Sequence, residues 1–311
     1  MISGRACPVD YTYRTDALAD DVGRAAEVLY VVGGLYGNLL ALDALERGLA
    51  LERGEINVVF NGDFNWFNVD PVSYLEINRR VLGWGALRGN VETELARDED
   101  LGCGCGYPPW VADEVVENSN AIMRRLRAVA SAAPALRHRL GGLHRHAVFR
   151  VGDLRVAAVH GDAESLAGWG FAQESLQHPG QLRTVAQWFA TGAVDVFACT
   201  HTCLPVLQAV DTDAGKGFVV NNGAAGMPNF AGDLRGLVTR IAVRPLPPAT
   251  DSLYGVRYRG VFIDNVPVAY DRVGWAEKFI ADWPPGSAAH RAYYERITQG
   301  PRYRRAAALR V

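Results

Sequence analysis

The chain has 311 residues and a formal net charge of -2, a balance that does not favour a nucleic acid or an anionic membrane surface as partner. Hydrophobic residues make up 49% and charged residues 21%, which is typical of a soluble globular protein with one large domain and an appendage. Apolar runs fall short of the roughly 18 residues of a membrane span, and the N-terminus lacks a signal-peptide apolar core. We therefore expect a cytoplasmic protein. Its five scattered cysteines do not resemble the disulfide framework of a small secreted domain.

The first half of the chain alternates strand and helix patterns. Residues 1–27 show no clean period and are predicted to form an N-terminal tail on the surface. From residue 28, VLYVV predicts a buried strand, GGLYG a turn, and Asn38 the N-cap of a helix over LLALDALERGLA. The strand pattern returns in VVFNGD and ALRGN, with a helix over PVSYLEINRRVLG between them. Such alternation predicts a largely parallel sheet covered by helices.

Residues 98–109, DEDLGCGCGYPP, interrupt this alternation. They are interpreted as a surface loop with small buried thiols, or else as a lid or redox element of a site. Cys103 and Cys105 are a weak metal signal, because the usual structural zinc spacing is wider and needs a second pair.

The second half is richer in strands. AVFRVGDLRVAAVHGD predicts a hairpin turning at Gly152 and Asp153, and VDVFACTHT, LPVLQAV, GFVVNNG and LRGLVTRIAV predict further strands of a second sheet packed on the first. Beyond residue 245 the chain has a Pro-rich link, a hairpin predicted within GVFIDNVPVAYD, and two amphipathic helices. We interpret 28–245 as the main domain and 246–311 as a C-terminal docking extension.

Polar residues of metal-binding type follow four of the predicted strands. VVFNGD ends on Asp63, ALRGN on Asn90, LRVAAVH on His160, and FACTH on His201. In open α/β sheets, ligands bind beyond the carboxyl ends of the strands. The strands at 28–32, 58–61, 86–88, 156–159 and 195–199 are therefore predicted to be buried and to converge at these ends.

A set of short motifs in this order resembles the calcineurin-like metallophosphoesterase superfamily over residues 28–243. The set is Gly37 with Asn38, Gly62 with Asp63, Gly89 with Asn90, His160-Gly161-Asp162, His201 with Thr202, and NNGAAG at 221–226. The resemblance implies a four-layered αββα sandwich of the α/β class, with two metal ions held by loops at the strand ends.

The chain also departs from the family pattern. Gly34 and Tyr36 stand where the family has Asp-X-His, two ligands of the first metal. Val91 replaces the histidine that stabilises phosphate or protonates the leaving group, although some phosphodiesterase branches also lack it. Cys203 replaces the last ligand of the first metal. These substitutions leave the first metal position without its usual ligands.

The second metal position is intact by the same resemblance. Its implied ligands are the bridging Asp63, Asn90, His160 and His201. Each alone could serve as a cap or a strand-end contact, but together they suit one divalent ion per chain, Mn, Fe or Zn, with open positions for water.

Other residues near these motifs are candidates for further roles. Asn38 and Glu92 are candidate catalytic residues. Tyr36 and Cys203 are interpreted either as groups facing the substrate or as unusual ligands of a first metal, and Gly34 is expected to leave space for water or a substrate group. Trp66 and Phe67 either wall an apolar substrate pocket or pack in the core.

The leading hypothesis is hydrolysis of a phosphate mono- or diester of a small molecule, with one metal ion activating water. Two alternatives belong to different classes. One is an inactive relative that binds a nucleotide, phosphopeptide or protein. The other is a mononuclear iron enzyme of different chemistry, because two histidines and one carboxylate are the ligand set of non-haem iron sites.

Overall fold

The strands of the described chain, residues 3–5 and 8–311 of a computed structural model, form two sheets. The strands are β1 (Arg24–Ala25), β2 (Val28–Val32), β3 (Asn57–Asn61), β4 (Gly85–Leu87), β5 (His146–Val151), β6 (Leu154–Val159), β7 (Val196–Cys199), β8 (Val206–Thr212), β9 (Gly215–Asn221), β10 (Gly236–Ala242), β11 (Tyr254–Tyr258), β12 (Val261–Val268) and β13 (Leu309–Arg310). The first sheet has the order β11-β12-β10-β2-β3-β4, and the second has the order β1-β5-β6-β7-β9-β8-β13.

Helices cover the outer faces of both sheets. The α-helices are α1 (Ala17–Asp20), α2 (Leu39–Leu49), α3 (Pro71–Val81), α4 (Asn90–Ala96), α5 (Asp113–Ser131), α6 (Pro134–Gly141), α7 (Pro179–Gly192), α8 (Arg272–Asp282) and α9 (Ala288–Gln299). Within the described residues, none of these helices has the length and apolar character needed to cross a membrane.

The alternation of side chains along β2 shows how the layers form. Val28, Tyr30 and Val32 pack with the helices on one face, whereas Leu29 and Val31 pack with residues of the second sheet on the other. A strand buried on both faces reads as a continuous apolar run, which is why VLYVV shows no polar alternation.

The second sheet is buried on both faces in the same way. Val156 and Ala158 of β6 face the first sheet, and Ala157 and Val159 face a third core that includes Val185 of α7. Helix, sheet, sheet and helix therefore follow one another, which confirms the predicted four-layered αββα sandwich.

The five strands predicted to be buried are all present, within two residues of the predicted bounds. The strand β4 differs because it is an edge strand: Gly85 and Ala86 are only half-buried, and Arg88 lies beyond its end. The strands β2, β3 and β4 are parallel, as are β6 and β7, so their carboxyl ends lie along one edge of the sandwich.

The predicted turn at Gly152 and Asp153 is confirmed by pairing of Val151 with Leu154. The hairpin predicted within GVFIDNVPVAYD is wrong, because residues 261–268 form the single strand β12. Its hairpin partner is β11, on the N-terminal side of a turn at Arg259 and Gly260. Asn265 and Pro267, residue types common in turns, both lie opposite residues of β10 and keep the chain extended.

The chain ends contribute to the layers. The β11–β12 hairpin extends the first sheet beside β10, and the short strand β13 pairs with β8 of the second sheet. Near the N-terminus, Tyr11 and Leu18 are fully buried. Cys7 lies outside the described residues.

Candidate functional site

Close approach of the strand-end loops explains the glycine that precedes each of two candidate ligands. Gly62 has a positive φ of 80°, and a Cβ there would lie only 2.6 Å from the His160 Nδ1 atom. A Cβ at Gly89 would overlap the Asp63 carboxylate. The loops from the two sheets can meet only where side chains are absent, which brings Asp63, Asn90 and His160 together.

Ligand atoms of Asp63, Asn90 and His201 lie around the ligand atom of the fourth candidate, the His160 Nε2 nitrogen. This nitrogen lies 3.3 Å from Asp63 Oδ2, 3.2 Å from Asn90 Oδ1 and 3.3 Å from His201 Nδ1. All four residues are buried, with exposures between 0% and 7%. In the described residues, ligand atoms of Asp63, His160 and His201 all lie within 4.8 Å of one another.

Hydrogen bonds to backbone carbonyls fix the tautomers of both histidines. His160 Nδ1 donates to the Asn61 oxygen at 2.7 Å, and His201 Nε2 donates to the Cys105 oxygen at 3.0 Å. Because a carbonyl oxygen only accepts, each bonded nitrogen carries the proton and the other presents a lone pair to the cluster. Metal-binding histidines are held in this way.

The other two ligands are oriented as well. Asn90 Nδ2 donates to the Cys103 oxygen at 2.9 Å, which leaves the amide oxygen facing the cluster. Asp63 Oδ1 accepts from the Val91 backbone N–H at 3.1 Å, which leaves Oδ2 free to face His160. Lone pairs of two nitrogens and two oxygens thus point at one place, an arrangement that is repulsive unless a proton or a cation lies between them. The residues therefore fit a divalent ion.

The same contacts shift the pKa values of the clustered groups. Burial opposes the charge on Asp63, but facing His160 and His201 lowers the pKa of this carboxyl. Burial also opposes a charge on His160, and the Asp63 carboxylate raises its pKa against that effect. Burial and the neighbouring His160 lower the pKa of His201 to about 4, so at neutral pH this imidazole keeps its lone pair.

Glu92 does not lie in the catalytic position that its place in the sequence suggested. Its Oε2 atom accepts the backbone N–H groups of Asp63 at 2.7 Å and Gly89 at 3.1 Å, and its Oε1 atom accepts from Asn65. Burial and the nearby Asp63 carboxylate raise its pKa to about 7. The side chain ties two ligand loops together and does not line the cavity.

Asn38 is likewise a supporting residue. Its Oδ1 atom accepts the Ala41 N–H at 3.0 Å and caps α2, and its Nδ2 atom donates to the Gly226 oxygen at 3.0 Å. Both ends of the amide are occupied, and the side chain is fully buried outside the cavity. The prediction that Asn38 is an N-cap is confirmed. Its side chain does not contact the cavity, where a catalytic residue would lie.

At the altered first position, Tyr36 occupies the space beside Gly34. A Cβ at residue 34 would lie 3.0 Å from the Tyr36 Cζ atom, and Gly34 has a positive φ of 64°. The space expected for water or substrate is therefore filled by the tyrosine ring. The Tyr36 hydroxyl lies 2.8 Å from Cys203 Sγ. Burial raises the pKa of both groups, so both are neutral near neutral pH.

Three of the four candidate ligands, Asp63, Asn90 and His201, line a cavity of about 60 Å³, which is enough for an ion and a few water molecules. Its lining residues are Tyr36, Asp63, Trp66, Asn90, Val91, Cys105, Tyr107, Trp169, His201, Thr202, Cys203 and Tyr293. Trp66 lines the cavity as one interpretation expected. Phe67 lies behind it, in edge contacts with Tyr36, Phe279 and Tyr293.

Sequence reasoning missed several of these lining residues. Cys105 and Tyr107 come from the interrupted loop at 98–109, where clustered glycines and prolines were the available signal. Trp169 follows the His160 loop, and its ring contacts that of His201 with centroids 5.8 Å apart. Tyr293 comes from α9, and nothing in the sequence of that helix connects it with the site.

A buried Asp, Asn and two His therefore lie together at the strand ends of a four-layered αββα sandwich. Neither a protein-family model nor a curated protein sequence matches the chain. A hypothetical protein from Pyrococcus horikoshii OT3 superposes with a TM-score of 0.55 at 16% identity, over 88% of this chain and 99% of that one. A metallophosphoesterase from Sphaerobacter thermophilus gives a TM-score of 0.52 at 17% identity, over 89% and 100%. The chain therefore shares the fold of these two proteins.

Proposed function

We propose that the protein is a metal-dependent hydrolase of phosphate esters that uses one divalent ion, Mn, Fe or Zn, held by Asp63, Asn90, His160 and His201. The observation that carries this proposal is the convergence of four lone pairs on one place, with both imidazole tautomers fixed by carbonyl partners. The fold likeness to a metallophosphoesterase supports the reaction class.

The proposal of one ion rests on the groups at the other position. Gly34 supplies no ligand atom, and the hydroxyl of Tyr36 and the thiol of Cys203 contact each other. Burial raises the pKa of both, and neutral phenol and thiol are poor ligands. A second ion would therefore share Asp63 and gain little else.

A divalent ion here would lower the pKa of a bound water and polarise a phosphoryl oxygen. The chain supplies the rest: aromatic side chains of Trp66, Tyr107 and Trp169 line the cavity and exclude bulk water. No Lys or Arg side chain lines the described cavity. One divalent ion and the Asp63 carboxylate leave about one positive charge, which balances a phosphodiester anion better than a dianionic monoester.

Val91 lines the cavity, and by the family resemblance it stands at the position of a histidine that assists the leaving group. We infer that the substrate is a small phosphodiester whose leaving group departs without protonation by the chain. A substrate of modest size is also favoured, because the cavity holds little beyond the ion and the reacting group.

The test is elemental analysis of protein purified without chelator, followed by hydrolysis assays. We expect about one ion per chain and metal-stimulated release of nitrophenol from bis(nitrophenyl) phosphate, faster than from nitrophenyl phosphate. His160→Ala should lose both the ion and the activity. Protein that binds no metal under any loading condition would contradict the proposal and favour a binding protein without catalysis.

A mononuclear iron enzyme is the second candidate. The buried Asp63, His160 and His201 cluster is a two-histidine and one-carboxylate set, and the cavity surface is mostly apolar. Bound iron with a colour that depends on oxygen, together with no hydrolysis of either nitrophenyl ester, would favour this candidate over the hydrolase.

A further inference from the structure

The Cys103 and Cys105 pair lies directly behind two candidate metal ligands. The two cysteines form a disulfide. The Cys103 oxygen accepts from Asn90 Nδ2 at 2.9 Å, and the Cys105 oxygen accepts from His201 Nε2 at 3.0 Å and from Trp169 Nε1 at 3.1 Å. The loop thus orients ligands on two different strand ends.

This disulfide is unsuited to stabilising the fold as a whole. It encloses only Gly104, and the stabilisation from a disulfide grows with the length of chain it closes. Its effect is local. The backbone N–H of Cys103 also donates a hydrogen bond to Asn120 Oδ1 at 2.9 Å, which holds Cys103 in place without the disulfide. Breaking the disulfide therefore frees mainly Cys105, whose carbonyl oxygen accepts from His201.

The Cys105 sulfur is the one that a small reductant can reach. Cys103 is 0% exposed, whereas Cys105 is 7% exposed and lines the cavity together with the half-buried Tyr107 and Trp169. A small dithiol that approaches from the side of the cavity therefore meets Cys105 first.

We propose that the Cys103–Cys105 pair is a redox-sensitive support of the metal site: the disulfide holds His201 and Asn90 in ligand geometry, and its reduction lowers metal affinity. A thiolate of a small dithiol attacks Cys105 Sγ, and Cys103 leaves as a thiolate that takes up a proton. The second thiol of the reductant then displaces Cys105, which is also protonated. The pair gains two electrons and two protons, and the reductant becomes a cyclic disulfide.

The inference rests on the metal site of the proposed function. Loss of a hydrogen-bond partner behind a metal ligand typically weakens metal affinity by about 10- to 100-fold. We expect a change of that size on reduction, with the larger share arising at His201.

The experiment measures the Kd of Mn²⁺ from the EPR signal of the free ion, because thiolates freed by reduction are poor ligands for this hard cation. Wild-type protein is compared oxidised, reduced anaerobically with dithiothreitol and desalted, and reoxidised. On reduction, we expect the number of titratable thiols to rise by two per chain and the Kd for Mn²⁺ to rise at least about 10-fold. Both values should return to those of the oxidised protein on reoxidation.

Two variants sharpen the result. The double variant Cys103→Ser, Cys105→Ser should bind Mn²⁺ weakly under both conditions, with circular dichroism to confirm folding. Cys199→Ala, a buried cysteine of β7 remote from the pair in sequence, should keep the wild-type redox response. If the double variant does not fold, the wild-type comparison still decides.

An unchanged Kd on reduction, or no additional thiols, would overturn the redox inference and leave the metal site intact. Oxidised protein that binds no Mn²⁺ and no other divalent ion would instead refute the metal site, and with it the proposed function.

Discussion

Two positions in the same cavity, the ligand cluster around His160 and the altered position around Tyr36, offer side chains of very different use to a metal. In the first, each hydrogen-bonding proton is directed outward to a carbonyl, and the lone pairs face inward. In the second, the Tyr36 hydroxyl oxygen and the Cys203 Sγ atom form a hydrogen bond with each other at 2.8 Å. A metal site therefore depends on where the protons point as much as on which residue types are present.

The comparison also shows how the position around Tyr36 is packed. A side chain at residue 34 would meet the Tyr36 ring at 3.0 Å and the Ala224 Cα at 3.1 Å, so the ring fits only beside a glycine. The packing at this position therefore depends on at least two residues. Each prediction below tests one side of this difference.

The largest effect is expected from removing a ligand of the intact cluster. Asp63→Asn and His160→Ala should each weaken metal affinity by more than about 100-fold. Loss of a residue that only hydrogen-bonds to a ligand weakens affinity by up to about 100-fold, and loss of the ligand itself should exceed that. Isothermal titration with Zn²⁺ measures the effect, and His138→Ala on the exposed face of α6 is the matched control. Retention of wild-type affinity in either variant would argue against these ligands.

The substitution Val91→His should give the cavity a proton donor. Acid catalysis by a placed side chain contributes about 10²- to 10⁴-fold, so alkyl phosphodiesters should react at least about 10-fold faster, whereas nitrophenyl esters should change little. Relative kcat/KM values for the two ester types give the answer, with thermal unfolding to check the buried substitution. An equal change for both types would show that the histidine acts otherwise than as an acid.

Gly34→Asp should destabilise the protein by about 1–3 kcal/mol, because the new side chain meets the Tyr36 ring and adopts a positive φ. Chemical denaturation measures this loss. The triple variant Gly34→Asp, Tyr36→His, Cys203→His removes the ring and should recover part of the stability while raising metal stoichiometry from one towards two. A triple variant that still binds one ion would mean that the backbone, and not the side chains, excludes the second.

The smallest effect is expected for Cys203→Ser. A serine hydroxyl can replace the thiol as partner of Tyr36, so metal stoichiometry should stay at one and affinity should change less than about threefold. Elemental analysis and titration measure both quantities. Loss of the ion in this variant, or two ions about 3.5 Å apart with Cys203 as a ligand, would replace the single-metal account with a two-metal one.

The sequence predicted the fold well because a strand buried on both faces appears in the sequence as a continuous apolar run. The run at residues 28–32 and the Gly152 turn needed no knowledge of their partners. Errors arose where tertiary context decided the outcome. The strand β12 continues through Asn265 and Pro267, since both residues lie opposite β10 and the sheet holds the chain extended.

Residue types at strand ends, together with the resemblance of the motifs to a known family, predicted that Asp63, Asn90, His160 and His201 would meet, because parallel strands deliver their carboxyl ends to one edge. Only the tertiary structure decided the rest. The Tyr36 ring filling the space at Gly34, and the Cys103 and Cys105 carbonyls orienting two ligands, join segments distant in the chain. Such contacts depend on distances and directions between loops, and local sequence patterns carry no information about either.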